Sequence, residues 1–236
     1  SVIHKIIRKS GKSSVVGSLL VLDHITSNTA IHIPIASIAK YAKEEYNMIV
    51  AVDGAHALLG LPLDMGSTLS IGNSQKDDGE QGDGHVDIYL TNAHKWFSSP
   101  RGAAMLFCAN PEIRETILAQ PTVVSHGVDD GFLSQFMWDG CRDYSAQLSL
   151  PVILDYWNAA GADTVREEMQ RNLSEGVRIL ISHWHADTDA LCVEKHSAEA
   201  GLTLVPLDMH APMLALVRLP DHISGEAKGT SSSAMK

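Results

Sequence analysis

The chain has 236 residues, enough for one large domain or two small ones with a sizeable core. Its 18 Lys plus Arg against 28 Asp plus Glu give a formal charge of −10, which argues against nucleic acid or an anionic membrane surface as the main partner. A hydrophobic fraction of 44% with 19% charged residues excludes a disordered chain, and no apolar run reaches the roughly 18 residues a membrane span needs.

The basic stretch Ile3–Lys12 lacks the apolar core of a signal peptide. Residues Gly17–Asp23 form a short apolar run closed by polar residues, which predicts a buried strand. Pro34 opens a helix in which Ile35, Ile38, Ala39, Ala42 and Tyr46 recur at helical spacing. Met48–Val52 is a second, β-branched strand, closed by Asp53 and Gly54. Strand, helix and strand at this spacing predict a βαβ unit with parallel strands. Gly66–Gly84, rich in Gly, Ser, Asp and Gln, is expected to be a surface insertion. Strands follow at Val86–Leu90 and Ala103–Cys108, and Pro111 starts a short helix. Asp143–Ala160 reads largely as helix, with Pro151 marking a break or a new start, and Asp163–His185 as a long helix. The apolar stripe of that long helix runs through Val165, Met169, Leu173, Val177, Leu180, Ile181 and Trp184. Met213–Leu219 is expected to be a last strand, before a low-complexity tail.

Three cysteines, Cys108, Cys141 and Cys192, are too few and too scattered for a disulfide framework or a cysteine zinc site. They fit a reducing compartment, so an intracellular protein is expected, cytoplasmic or organellar. His183 and His185 stand two apart on the long helix, on different faces, and make a poor metal pair.

Three predicted strands end in polar clusters: Asp23–Thr29, Asp53–His56 and Thr91–Trp96. In a parallel α/β sheet, ligands bind beyond the carboxyl ends of the strands. An acid, several imidazoles, hydroxyls and one lysine gathered there describe a site for a polar, phosphorylated ligand. The chain has neither a Gly-x-Gly-x-x-Gly nor a P-loop, so a dinucleotide or nucleoside triphosphate is not supported.

The same residues carry a resemblance. Asp53-Gly-Ala-His56, Asn92-Ala-His94-Lys95-Trp96 and Trp138-Asp-Gly-Cys-Arg-Asp143, in this order, resemble the class V aminotransferase-like pyridoxal-phosphate enzymes. Leu22-Asp-His-Ile-Thr-Ser27, His94-Lys-Trp-Phe97, Val124-Ser-His126 and Arg142-Asp-Tyr-Ser-Ala-Gln-Leu148 are similar to the branch of L-cysteine desulfhydrases and isopenicillin-N-epimerase-like proteins, to which the hercynylcysteine sulfoxide lyases are related. The resemblance spans Leu19–Leu219. It implies a three-layer α/β/α sandwich, the type I aminotransferase large domain, over residues 1–150. Residues 151–236 would then hold connecting helices and an incomplete small domain.

The resemblance also implies chemistry. Lys95 would form a Schiff base with the aldehyde of pyridoxal 5'-phosphate, and Asp53 would hold the pyridine nitrogen protonated. His56 would lie by the phenolic oxygen or ring, and Thr26 or Ser27 would donate to that oxygen. Asn92 and His94 would contact the phosphate. Cys141 stands where the family has a phosphate-binding threonine, and a thiol is the weaker donor. The activity implied is carbon–sulfur lysis of L-cysteine to sulfide, pyruvate and ammonia, in a homodimer, with no nucleic-acid or membrane partner. The alternatives are an epimerase that returns the Cα proton on the opposite face, or an incompetent fragment. The missing Met before Ser1, the Ser-rich tail, and the lack of a phosphate-cradling helix and a carboxylate-gripping arginine predict the middle of a longer enzyme.

Overall fold

A computed structural model describes residues 17–68, 85–108, 110–118, 125–137, 140–184 and 209–217. Ile3–Lys12, most of the Gly66–Gly84 stretch, Val124, Trp138, His185, Cys192 and the residues from 218 onward lie outside the described residues. By internal contacts the chain divides into two compact units, Ser1–His24 with Ile33–Ala160, and Ile25–His32 with Gly161–Lys236.

The first unit is built on the alternation seen in the sequence. Strand β1 (Leu19–Asp23), helix α1 (Ile35–Tyr46) and strand β2 (Ile49–Asp53) form the expected βαβ unit, with β1 and β2 parallel and Asp23 opposite Asp53. Strand β3 (Ile88–Asn92) lies parallel to β2, and β4 (Ala104–Cys108) runs antiparallel to β3. The sheet is therefore four-stranded and mixed, in the order β1-β2-β3-β4. Strand β3 begins two residues later than the apolar run suggests and carries Thr91 and Asn92 within it. The fold class is α/β, as expected.

Alternate residues of the strands face two layers. Val50, Val52 and Tyr89 pack with Ile35, Ala39 and Ala42 of α1, while Ala51 and Ile88 pack with Ile113 on the opposite side. Ile113 belongs to a helical turn, Pro111–Ile113, whose start is capped by the Asn110 side chain accepting from the main chain of Glu112 and Ile113. Helix α1 ends at Asn47, which takes the left-handed conformation (φ 48°) that closes helices. A partly buried ion pair ties α1 to the sheet. Lys43 Nζ donates to Asp87 Oδ1 at 2.6 Å, and the Val50 main chain donates to Asp87 Oδ2 at 2.8 Å. Met65–Thr68, expected as loop, forms one helical turn.

Two helices complete this unit. Asp143 starts α2 (Ser145–Leu148) by accepting from the Ser145 main chain at 2.8 Å. Helix α3 (Leu150–Ala160) follows after a single residue, with Pro151 in its first turn.

The second unit holds the long helix α4 (Ala162–Trp184) and a small hairpin. Ile25 bridges His32 in antiparallel fashion, and Ile31 bridges His210. On α4, Ile181 is buried, whereas Leu180 is exposed and stands off the stripe that the sequence spacing assigns to it. Among the described residues no continuous strand runs from Met213: residues 213–216 are a bend and irregular chain, and Val217 makes a single bridge. Pro212 stands directly before this run and Ala215 is a poor strand former within it, so it carries little strand pattern beyond its hydrophobicity.

Candidate active site

Because β1, β2 and β3 are parallel, Asp23, Asp53 and Asn92 all come to one edge of the sheet. The turn after β2 is tightly defined. Asp53 is exposed, and its Oδ1 accepts from the Ala55 main chain at 2.9 Å. The Gly54 N–H donates to the Leu90 carbonyl (2.6 Å), the Thr91 hydroxyl donates to the Gly54 carbonyl (2.9 Å), and Ala57 N–H closes the turn on the same carbonyl (2.8 Å).

Lys95 sits on a loop closed at its base. Ala93 N–H donates to the Ala103 carbonyl and Ser99 N–H to the Ala93 carbonyl. The Trp157 indole on α3 donates to the Phe97 carbonyl at 3.0 Å. Ser98 holds φ at 64°, a left-handed conformation that a non-glycine residue adopts only where its surroundings impose it. Buried Ala93, Ala103 and Ala146, with Phe97 and Leu150 against them, pack beneath the loop.

The two turns meet through their side chains. Lys95 Nζ lies 2.9 Å from His56 Nε2, and the His56 and Trp96 rings meet edge-on at 6.4 Å. An ammonium has only protons to give, so His56 Nε2 accepts and its ring proton sits on Nδ1. Burial pushes the His56 pKa below its usual value, and Lys95 lowers it further, while Asp53 and Asp23 pull the other way. At neutral pH His56 is therefore a neutral acceptor for the lysine.

Three polar atoms here are buried without a hydrogen-bond partner: His56 Nδ1, Asn92 Oδ1 and Trp96 Nε1. Buried polar atoms are otherwise nearly always paired. Unspent hydrogen-bonding capacity around a primary amine and an exposed carboxylate suits a flat, polar ligand that completes it. The Asn92 amide presents either its oxygen or its NH₂ to such a ligand, depending on its flip.

His94 is exposed beside Lys95. Cys141 is exposed in the loop before α2, and no hydrogen bond joins it to the Lys95 cluster among the described residues. Thr26 and Ser27 belong to the second unit. There the Thr26 hydroxyl is taken up locally, 2.6 Å from the Thr29 hydroxyl and accepting from the Ile31 main chain at 2.8 Å, while Ser27 is exposed. Sequence reasoning placed Asp23 and His24 in a strand-end cluster without giving them a role, and missed Tyr89 and Trp157, which support the two turns from beneath. The register of β1 against β2 then sets Asp23 beside Asp53.

No family model matches the chain. Among curated proteins, "L-cysteine desulfhydrase" of Arabidopsis thaliana is 33% identical over 163 residues, covering 68% of this chain and 31% of that protein. "Probable L-cysteine desulfhydrase, chloroplastic" of the same plant is 31% identical over 168 residues, covering 70% of this chain and 32% of the relative. Over about 70% of its own length the chain is similar to curated proteins named L-cysteine desulfhydrase. It spans about a third of the length of the curated relatives it matches.

Solved structures agree on the fold. The ureidoglycine–glyoxylate aminotransferase of Bacillus subtilis superposes with a TM-score of 0.59 at 17% identity, covering 95% of this chain and 50% of that one. The alanine–glyoxylate aminotransferase of Nostoc sp. gives 0.58 at 17% identity, covering 94% and 52%. The cysteine desulfurase of Thermococcus onnurineus gives 0.52 at 16% identity, covering 74% and 41%. The α/β architecture is thus that of the aminotransferase fold. Among the described residues no helix is long and apolar enough to cross a membrane.

Proposed function

We propose that this chain carries the lysine-bearing part of a pyridoxal-phosphate-dependent carbon–sulfur lyase acting on L-cysteine. The observation that carries the reading is the Lys95–His56 contact, 2.9 Å, at the edge where parallel strands end in Asp53 and Asn92. The residues fit the cofactor: a primary amine for its aldehyde, a carboxylate for its ring nitrogen, and polar groups for its phosphate. Pyridoxal phosphate, when bound, supplies an electron sink for the pair left at the substrate Cα.

Each residue then has a task. Lys95 would hold the cofactor through Nζ and, with that amine free, would take the substrate Cα proton. His56 Nε2 accepts a hydrogen bond from Lys95 Nζ and so orients the amine, and burial favours the neutral imidazole that this acceptor role needs. Asp53 would hold a proton on the ring nitrogen, and Trp96 packs edge-on against His56. Asn92 and His94 meet the phosphate. Thr26, Ser27 and Cys141 are proposed as further contacts to the cofactor. Residues 1–150 act as the cofactor-binding domain and residues 151–236 as connecting helices with part of a small domain. The products are sulfide, pyruvate and ammonia, and the assembly is a homodimer. An intracellular setting, cytoplasmic or organellar, is supported by a relative named as chloroplastic.

The test is an absorbance scan after adding pyridoxal phosphate to the purified chain. A visible band that borohydride removes and that Lys95→Ala lacks is expected, with sulfide released from L-cysteine. A wild-type chain with no such band refutes the cofactor reading. A loaded chain that releases no sulfide refutes the lyase.

A further inference from the structure

We infer that Tyr89 and His24 form a buried strut that sets the Asp53–His56 turn, which makes both of them positioning residues for the reaction proposed above, on which the inference rests. The His24 main-chain N–H donates to the Asp53 carbonyl at 2.8 Å, and its imidazole Nδ1 lies 2.8 Å from the Tyr89 hydroxyl. The two rings meet edge-on, 5.9 Å apart at 86°. The Tyr89 ring fills the place where a side chain at position 54 would begin. A Cβ there would stand 2.2 to 2.3 Å from three Tyr89 atoms, the hydroxyl oxygen among them. His24 therefore touches the residue before the glycine, Tyr89 touches the glycine, and the two touch each other.

Both side chains are buried, Tyr89 completely. A phenylalanine would fill the same volume without needing a partner in an apolar core. The hydrogen bond adds direction: it fixes where the ring leans, and so the level at which Gly54 rests on it. Asp53 precedes Gly54, and the Ala57 N–H closes the turn over His56 on the Gly54 carbonyl. The bearings of the carboxylate and of the imidazole that receives Lys95 are both taken from this glycine.

Tyr89→Phe keeps the ring and removes only the hydroxyl, so it preserves the packing against Gly54. His24→Leu and the double variant complete the set. The first readout is the NMR titration of the His56 imidazole in the chain without cofactor, where Lys95, Asp53 and Asp23 are the charges that act on it. Its midpoint moves up towards the ordinary histidine value in each single variant and no further in the double, because the two act as one unit. The second readout is the dissociation constant for pyridoxal phosphate, weaker by roughly fivefold for one lost hydrogen bond. Thermal melting of each variant controls for folding. A His56 midpoint that is unchanged in Tyr89→Phe overturns the strut, whatever the melting temperature does. A midpoint that moves, in a chain whose wild type shows no borohydride-sensitive band, supports the strut and overturns the cofactor reading instead.

Discussion

Asp87 offers the sharpest test of how the sheet is held. Its side chain is fully buried at the head of β3, and it makes two bonds: Oδ1 accepts from Lys43 Nζ on α1, and Oδ2 from the Val50 main chain on β2. Asp87→Ala orphans the Val50 N–H, a desolvated donor worth about 1–3 kcal/mol, and unpairs Lys43. The Lys43 side chain keeps 26% exposure, so its ammonium swings to water and little charge is trapped. The total is about 3 kcal/mol. Lys43→Met is the harsher change, because it leaves a carboxylate with no exposure and a single hydrogen bond; it costs about 3–5 kcal/mol. The double variant, with no buried charge left, costs about 3 kcal/mol and not the sum, since residues of one network do not add. Urea unfolding followed by far-ultraviolet circular dichroism measures all three. Additive losses, or an Asp87→Ala loss under about 1 kcal/mol, would refute the claim that this carboxylate organises three elements.

Other outcomes follow from single contacts. Gly54→Ala drives a Cβ into the buried Tyr89 ring and costs about 3 kcal/mol, read as a lowered melting temperature that Tyr89→Leu in the same chain partly restores. His56 and His32 both have pKa values pushed below 6.5, chiefly by burial. The unfolded chain therefore binds more protons below pH 6.5, so their contribution is complete above that pH and is lost as pH falls through the lower folded values. The urea midpoint is expected to be lower at pH 5.5 than at pH 7.5, and His56→Gln removes its share of the difference. Two residues on one sheet face give a contrast. Val21 is 64% exposed and Val21→Lys shifts stability by less than about 0.5 kcal/mol, whereas Ile88, packed under Ile113, loses about 2–5 kcal/mol as Ile88→Ala.

Much of the fold was legible because its signals are local. The period of Ile35, Ala39, Ala42 and Tyr46 marks the face that α1 buries, and Pro34 and Asn47 bound it. The β-branched run before Asp53 is a central strand, and the polar residues that end β1, β2 and β3 lie at one edge because the strands are parallel. Lys95, Asp53 and His56 were visible for the same reason: each stands at or just after the end of a strand. The expectation for Met213 onward failed because hydrophobicity alone does not distinguish a strand from an apolar irregular chain. The helical turn at Met65–Thr68 was hidden in a stretch with no apolar period.

The sequence by itself determined the order of strand and helix, the side of the sheet on which chemistry gathers, and the amine, carboxylate and imidazole offered there. These follow from backbone propensity and spacing, which act within a few residues. Only the tertiary structure decided which of these groups meet. The 2.9 Å contact of Lys95 with His56 spans 39 residues, the strut of His24 and Tyr89 spans 65, and the Lys43–Asp87 pair spans 44. Such contacts arise when parallel strands stack in register and loops close over them, and no local pattern encodes that distance. The same packing lowers the His56 pKa below its ordinary value, because burial is a property of the fold and not of the residue.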